Sequence, residues 1–144
     1  MKYLCLDVGD RRVGAAIGDD QIRIATPLEV IERRSIEQDV RAVGNLAKKF
    51  SADALVVGLP RNMDDSLGAQ AVSVRAYAEK ITAALGLPLT YWDERLTTVE
   101  ASGRVHASGA RDASRKSRKS LDAIAASVIL QDFLDEPVTA RVPC

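Results

Sequence analysis

Lys2-Tyr3-Leu4-Cys5-Leu6-Asp7-Val8-Gly9-Asp10-Arg11-Arg12-Val13-Gly14 is the stretch from which the rest of the chain can be ordered. Tyr3 to Leu6 is an unbroken apolar run, the mark of a strand covered on both faces and hence central in its sheet. Asp7 closes that run, and a carboxylate there is costly to bury unless something positive sits beside it. Gly9 and Gly14 allow a tight turn and a close approach of a bound group to the main chain. A turn-capping aspartate is the plainer account of Asp7. This stretch alone does not separate the two readings; two further carboxylates in comparable settings do.

Working outward, Val13 to Gly18 reads as a second strand ended by Asp19-Asp20. Leu28 to Ile31, following Pro27, reads as a third strand near an edge. Short connections make these three an antiparallel meander. Ser35 and Gln38 have capping-box spacing, and Ile36, Val40, Val43, Ala47 and Phe50 recur with the period of a helix over 36–50. Ala54 to Leu59 is another buried strand, followed by a polar loop over 61–68. A second helix carries Val74, Ala78, Ile81 and Leu85 inward and stops at Gly86. Pro88 to Trp92 is a fifth strand running into Asp93-Glu94-Arg95. Strand, helix, strand, helix, strand implies parallel pairing through crossovers, so the expected fold is α/β with a mixed five-stranded sheet.

Downstream, Thr97 and Glu100 open a helix expected to run to His106, and 107–117 lacks periodicity and reads as a loop. Leu121, Ile124, Ala125, Val128, Ile129 and Phe133 then restore helical spacing, with Asp122 expected in the first turn. Residues 1–136 are expected to form one domain, and 137–144, with Pro137 and Pro143, a flexible tail.

With 144 residues, 47% apolar and 28% charged, the chain has the composition of an ordinary globular protein able to bury a core without staples. The formal net charge is zero, so a polyanion partner has to be met by local clustering of charge. Cys5 and Cys144 form neither a disulfide framework nor a metal-ligand pattern, and Cys5 reads as a small buried hydrophobe. No signal peptide and no membrane-length apolar run are read in the sequence, and a cytoplasmic protein is expected.

Three acids stand where a ligand crevice forms in such sheets, outside the carboxyl ends of parallel strands. Asp7 ends strand one, Asp93-Glu94 end strand five, and Asp122 lies at the margin of a helix stripe. Converging carboxylates repel one another, and a hard divalent cation with a preference for oxygen ligands relieves that repulsion. Two Mg²⁺ or Mn²⁺ ions about 3.5–4 Å apart are the usual arrangement for in-line displacement at phosphorus. The competing account makes Asp93 and Asp122 helix-start charges favoured by the macrodipole.

The motifs together resemble those of the YqgF family, also called RuvX-type. They are Asp7-Val8-Gly9-Asp10-Arg11-Arg12-Val13-Gly14, Val57-Gly58-Leu59-Pro60 with Asn62-Met63-Asp64, Asp93-Glu94-Arg95-Leu96-Thr97-Thr98, and Leu121 to Ala126. The resemblance spans nearly the whole chain and implies a ribonuclease H-like fold and a divalent-metal nuclease site. Family members are described as nucleases maturing the 5′ end of pre-16S rRNA or as Holliday junction resolvases. By position, the family's acids fall on Asp7, on Asp93-Glu94 and on Asp122. Of the neighbouring pair, which point to opposite faces if the strand continues, Glu94 is preferred because its longer arm reaches over the strand end. The chain departs from the family in its polar loop, with Arg61 where an apolar residue is usual and Asp65 in place of a glycine.

The catalytic and metal-binding set expected here is thus Asp7, Glu94 and Asp122. Arg11, Arg12, Arg61 and Arg95 lie on loops at that site, where guanidinium forks suit phosphate oxygens, and Asn62 shares the polar loop. A second basic group, Arg115, Lys116, Arg118 and Lys119, forms with Arg104 and Arg111 an arm opposed only by Asp112. It is expected to contact a nucleic-acid backbone, the bland alternative being a solvated loop. Aromatic residues are too few to support stacking on single strands. The expected partner is structured RNA or branched DNA, with ribosomal precursor particles included and no membrane, bound by a monomer or a homodimer. An ATP-dependent phosphotransferase shares the Asp-x-Gly turn but usually needs a second domain, for which 144 residues are expected to leave no room. A non-catalytic RNA-binding module would have little reason to keep all three acids.

Overall fold

A computed structural model of the chain describes residues 1–59, 68–93 and 115–135, the last group with backbone only over 115–120. The elements are β1 (Lys2–Val8), β2 (Arg12–Asp19), β3 (Ile24–Glu32), α1 (Ile36–Lys49), β4 (Ala54–Leu59), α2 (Ala69–Leu85), β5 (Leu89–Asp93) and α3 (Arg115–Asp135). They build one five-stranded sheet in the order β3-β2-β1-β4-β5. β1–β2 and β2–β3 are antiparallel, while β1–β4 and β4–β5 are parallel. The mixed sheet expected from the sequence is therefore present, with β1 at its centre.

Alternation along the strands separates two cores. Leu4, Leu6, Val13, Ala15, Val57 and Leu59 pack on one face with Val43, Leu46, Val74, Tyr77 and Ile81 from α1 and α2. Tyr3, Cys5, Ala16, Val56 and Trp92 pack on the other with Ala126, Ile129, Leu130 and Phe133 from α3. Phe133 joins these residues edge-on, its ring centroid 5.0 Å from Tyr3 and 5.8 Å from Trp92, a favoured geometry for aromatic pairs. Cys5 is fully buried and takes part in no disulfide.

Local signals account for the helix ends. The Ser35 Oγ accepts the N–H of Gln38 at 3.2 Å, capping α1. Gly86 closes α2 in the left-handed region at φ 71°, its N–H bonded to the Thr82 carbonyl.

Two elements differ from expectation. β3 begins at Ile24, ahead of Pro27. The register shifts so that Ala15 pairs with Glu29 and Ala16 with Pro27, leaving Leu28 as the extra residue of a bulge. On an edge strand the bulge accommodates a proline that reads, in sequence, as the strand's beginning. α3 begins at Arg115, so its first turns occupy part of the expected loop and Asp122 lies two turns in. A polar run of Lys, Arg and Ser forms helix readily but gives no apolar periodicity by which to see it. The buried stripe of α3 is also rotated: Ala123, Ala126, Ile129, Leu130, Phe133 and Leu134 are buried, whereas Ile124, Ala125 and Val128 are only partly so. The helix expected over 97–106 lies outside the described residues, as do 137–144. No helix among the described residues is long and apolar enough to cross a membrane.

Candidate active site at the end of the central strand

Asp7 follows Tyr3 and Cys5 on the α3 face of β1, and its partner across β2 is Gly14. A Cβ at Gly14 would collide with the backbone carbonyl of Asp122. The missing side chain therefore lets the α3 backbone descend onto the strand beside Asp7. Ala16, level with Cys5, lies in the α3-side core, whereas Ala15 faces the α1–α2 core. Because Asp122 lies two turns into α3, its position is not explained by the helix dipole, which acts within the first turn.

Arg12 completes the pairing of strand and helix. Its Nε lies 3.1 Å from Asp122 Oδ2, both side chains being partly exposed. Such a pair contributes about 0–1 kcal/mol to stability, so orientation is its more consequential effect. The turn between β1 and β2 is closed by the Gly9 N–H, which donates to the Arg12 carbonyl at 2.8 Å. Asp7, Gly9, Asp10, Arg11, Arg12 and Asp122 together line a cleft of about 320 Å³. Two carboxylates expected at the site thus share one cleft with the two arginines expected beside them. Asp10, to which the sequence alone gives no role, forms part of the same wall.

Strand register places Asp93. Leu6 pairs with Val57 and Val57 with Tyr91, so Asp7 lies level with Gly58 and Trp92. Trp92 belongs to the α3-side core. Asp93 pairs with Leu59, which belongs to the α1–α2 core, and so lies on the face opposite Asp7. Glu94, Arg61, Asn62 and Arg95 lie outside the described residues. The backbone positions of Arg115, Lys116, Arg118 and Lys119 fall on the opening turns of α3. At about 1.5 Å per residue they precede Asp122 by roughly 4–11 Å along the helix axis.

The family model described as "RuvX: Holliday junction resolvase" matches residues 1–136. This chain belongs to the RuvX family. Among the RuvX chain's relatives, the "Putative pre-16S rRNA nuclease" of Caldanaerobacter subterraneus subsp. tengcongensis is 42% identical, covering 94% of this chain and 96% of the relative. The protein of the same description from Moorella thermoacetica is 45% identical, covering 94% and 95%. Among solved structures, T. thermophilus RuvC in complex with Holliday junction substrate superposes with a TM-score of 0.63 at 12% identity. That match covers 100% of this chain and 99% of RuvC. At that identity the likeness speaks for the fold alone: a ribonuclease H-like sheet flanked by helices, as the motifs implied.

Proposed function

We infer that the protein is a metal-dependent nuclease that hydrolyses phosphodiester bonds in structured nucleic acid. The observation that carries this reading is the meeting of Asp7 and Asp122 in one cleft with Arg11 and Arg12, in a RuvX-family chain. The donors present are carboxylate oxygens, which fit Mg²⁺ or Mn²⁺. Among the described residues no group of three metal-ligating side chains forms. Asp7 and Asp122 are two of the ligands in this reading, and Glu94 is the third. Strand parity favours Glu94 over Asp93, since the residue after Asp93 returns to the α3 face if the strand continues. When bound, two such ions stabilise the charge that develops on the attacking and leaving oxygens.

The chain's own residues supply position and charge. Arg11 and Arg12 fix the phosphate by forked hydrogen bonds, and Arg61, Asn62 and Arg95 contribute to the same task. Arg12 spans both jobs, orienting Asp122 Oδ2 while keeping guanidinium donors for the phosphate. Water is the nucleophile, adding across the P–O bond that breaks. Arg115, Lys116, Arg118 and Lys119 hold the nucleic-acid backbone further from the cut.

The substrate proposed is the 5′ end of pre-16S rRNA within ribosomal precursor particles, following the description shared by close relatives. That work belongs in the cytoplasm, and a single copy of a domain spanning 1–136 suffices for it. The second reading, favoured by the family description, is cleavage of Holliday junctions; two symmetric cuts would then call for a homodimer.

A cleavage assay offering both substrates with Mg²⁺ or Mn²⁺ tests this. Precursor RNA should be cut and the junction left intact. Asp7→Asn should abolish cutting while the protein stays folded, its melting temperature unchanged or slightly raised because one repelling charge is gone. Undiminished cutting by purified Asp7→Asn would remove Asp7 from the mechanism.

A further inference from the structure

The β1–β2 turn is held from the far side of the sheet by groups that the nuclease reading does not use. Asp39, in the first turn of α1, is a carboxylate only 3% exposed. Its Oδ1 accepts the Arg34 N–H at 3.1 Å, and its Oδ2 accepts the Tyr77 hydroxyl at 2.9 Å. Both oxygens are thereby satisfied, as a buried carboxylate requires. Tyr77 on α2 is itself buried. Burial, and then the hydrogen bond to Asp39, push its pKa well above the ordinary tyrosine value, so it stays a neutral donor. Over its ring lies the Arg33 guanidinium, 4.2 Å from the centroid, at cation–π distance.

Arg33 grips the turn at two points. Its Nη1 donates to the Gly9 carbonyl at 2.8 Å, and its backbone N–H donates to the Arg11 carbonyl at 2.8 Å. Gly9 and Arg11 line the cleft, and Arg12, the next residue, meets Asp122. An unbroken series of contacts thus runs from Asp39 through Tyr77 and Arg33 to the cleft wall.

We propose that Arg33 is a positioning residue of the active site, with the Tyr77 ring, itself fixed by Asp39, as its platform. Phosphate-binding groups on a tight turn work only if the turn does not shift under the charge that they bind. A side-chain brace on the Gly9 carbonyl prevents that shift without occupying the cleft. The flat guanidinium suits the position because it stacks and donates at once; an ammonium keeps the donor but loses the stacked plane. This inference rests on the reading of the cleft as the place of cleavage.

The test combines steady-state cleavage with amide hydrogen exchange of the full chain. Arg33→Met, which keeps an apolar stem but no donor, should lower kcat by roughly tenfold or more, since a misplacement of about 1 Å can cost on the order of 100-fold. KM for the nucleic acid should stay within about twofold, because Arg33 does not touch the substrate. The Gly9 amide should exchange faster while the amides of β4 are unchanged, and Arg33→Lys should recover part of the kcat and part of the protection. Should Arg33→Met fail to fold, Arg33→Lys against wild type decides by the same two readouts. Faster exchange with unchanged kcat would reduce Arg33 to a structural role, and a raised KM at unchanged kcat would make it a substrate contact; either overturns the proposal, as does a lowered kcat with unaltered exchange at Gly9. A wild-type protein that cuts neither substrate would sink the nuclease reading and with it the catalytic role, while the exchange at Gly9 would still decide whether the brace exists.

Discussion

At the scale of single residues, the proposed reading gives the adjacent acids Asp93 and Glu94 separable roles. Asp93 pairs with Leu59 and lies on the α1–α2 face of the sheet, away from Asp7. Glu94→Gln keeps size and hydrogen bonding but removes the charge that a cation requires. It should lower cleavage by orders of magnitude, with part restored at higher Mn²⁺. Asp93→Asn should cost mainly stability, on the order of 1 kcal/mol, if it supports the helix that the sequence leads one to expect from Thr97. Cleavage rate and melting temperature therefore part the two variants. A silent, well-folded Asp93→Asn beside an active Glu94→Gln would assign the ligand to the other neighbour.

At the scale of elements, the placement of α3 on β2 governs the site. Gly14 permits contact with the Asp122 backbone, and a methyl group there has no room. Gly14→Ala should destabilise the fold by about 1–3 kcal/mol, the usual cost of overpacking. Cleavage should fall further than stability does, since Asp122 rides on the displaced helix; urea unfolding and a cleavage rate taken where the variant is fully folded separate the two effects. The opening turns of α3 carry the other element-scale expectation. Replacing Arg115, Lys116, Arg118 and Lys119 by Ala should weaken nucleic-acid binding. The slope of log affinity against log salt should become shallower by roughly 0.7–0.9 for each phosphate that is no longer neutralised. A slope equal to wild type would mean that these residues are solvated and touch no phosphate.

At the scale of the whole molecule, the two cores share one sheet, and Phe133 anchors the α3 side against Tyr3 and Trp92. Phe133→Ala should cost about 3–5 kcal/mol, a large part of the roughly 5–15 kcal/mol that holds a domain together; denaturant unfolding measures it, and a loss below about 1 kcal/mol would mean that α3 is not held by this contact. The buried strands, the Ser35 cap, the Gly86 stop and the placing of acids at strand ends were all legible in the chain itself. Each is a local matter: propensity, capping and apolar runs act between residues close in sequence. The long β3, the early start of α3 and the brace by Arg33 were not. Pro27 is tolerable only because an edge position and a bulge receive it. α3 has apolar residues around much of its circumference, so periodicity could not choose which stripe meets the sheet. The stripe that does so lies tight against two glycines of β2, Gly14 at the Asp122 backbone and Gly18 at the Leu130 and Leu134 side chains. In the same way, alternation alone told that Asp93 and Glu94 would oppose each other in a continuing strand, but register across β1, β4 and β5 was needed to say that Asp93 faces away from Asp7. The sequence by itself determined which groups are available and, for those on strands, near which strand ends they stand. Tertiary structure decided which face each group shares, because pairing register and helix docking join residues far apart along the chain.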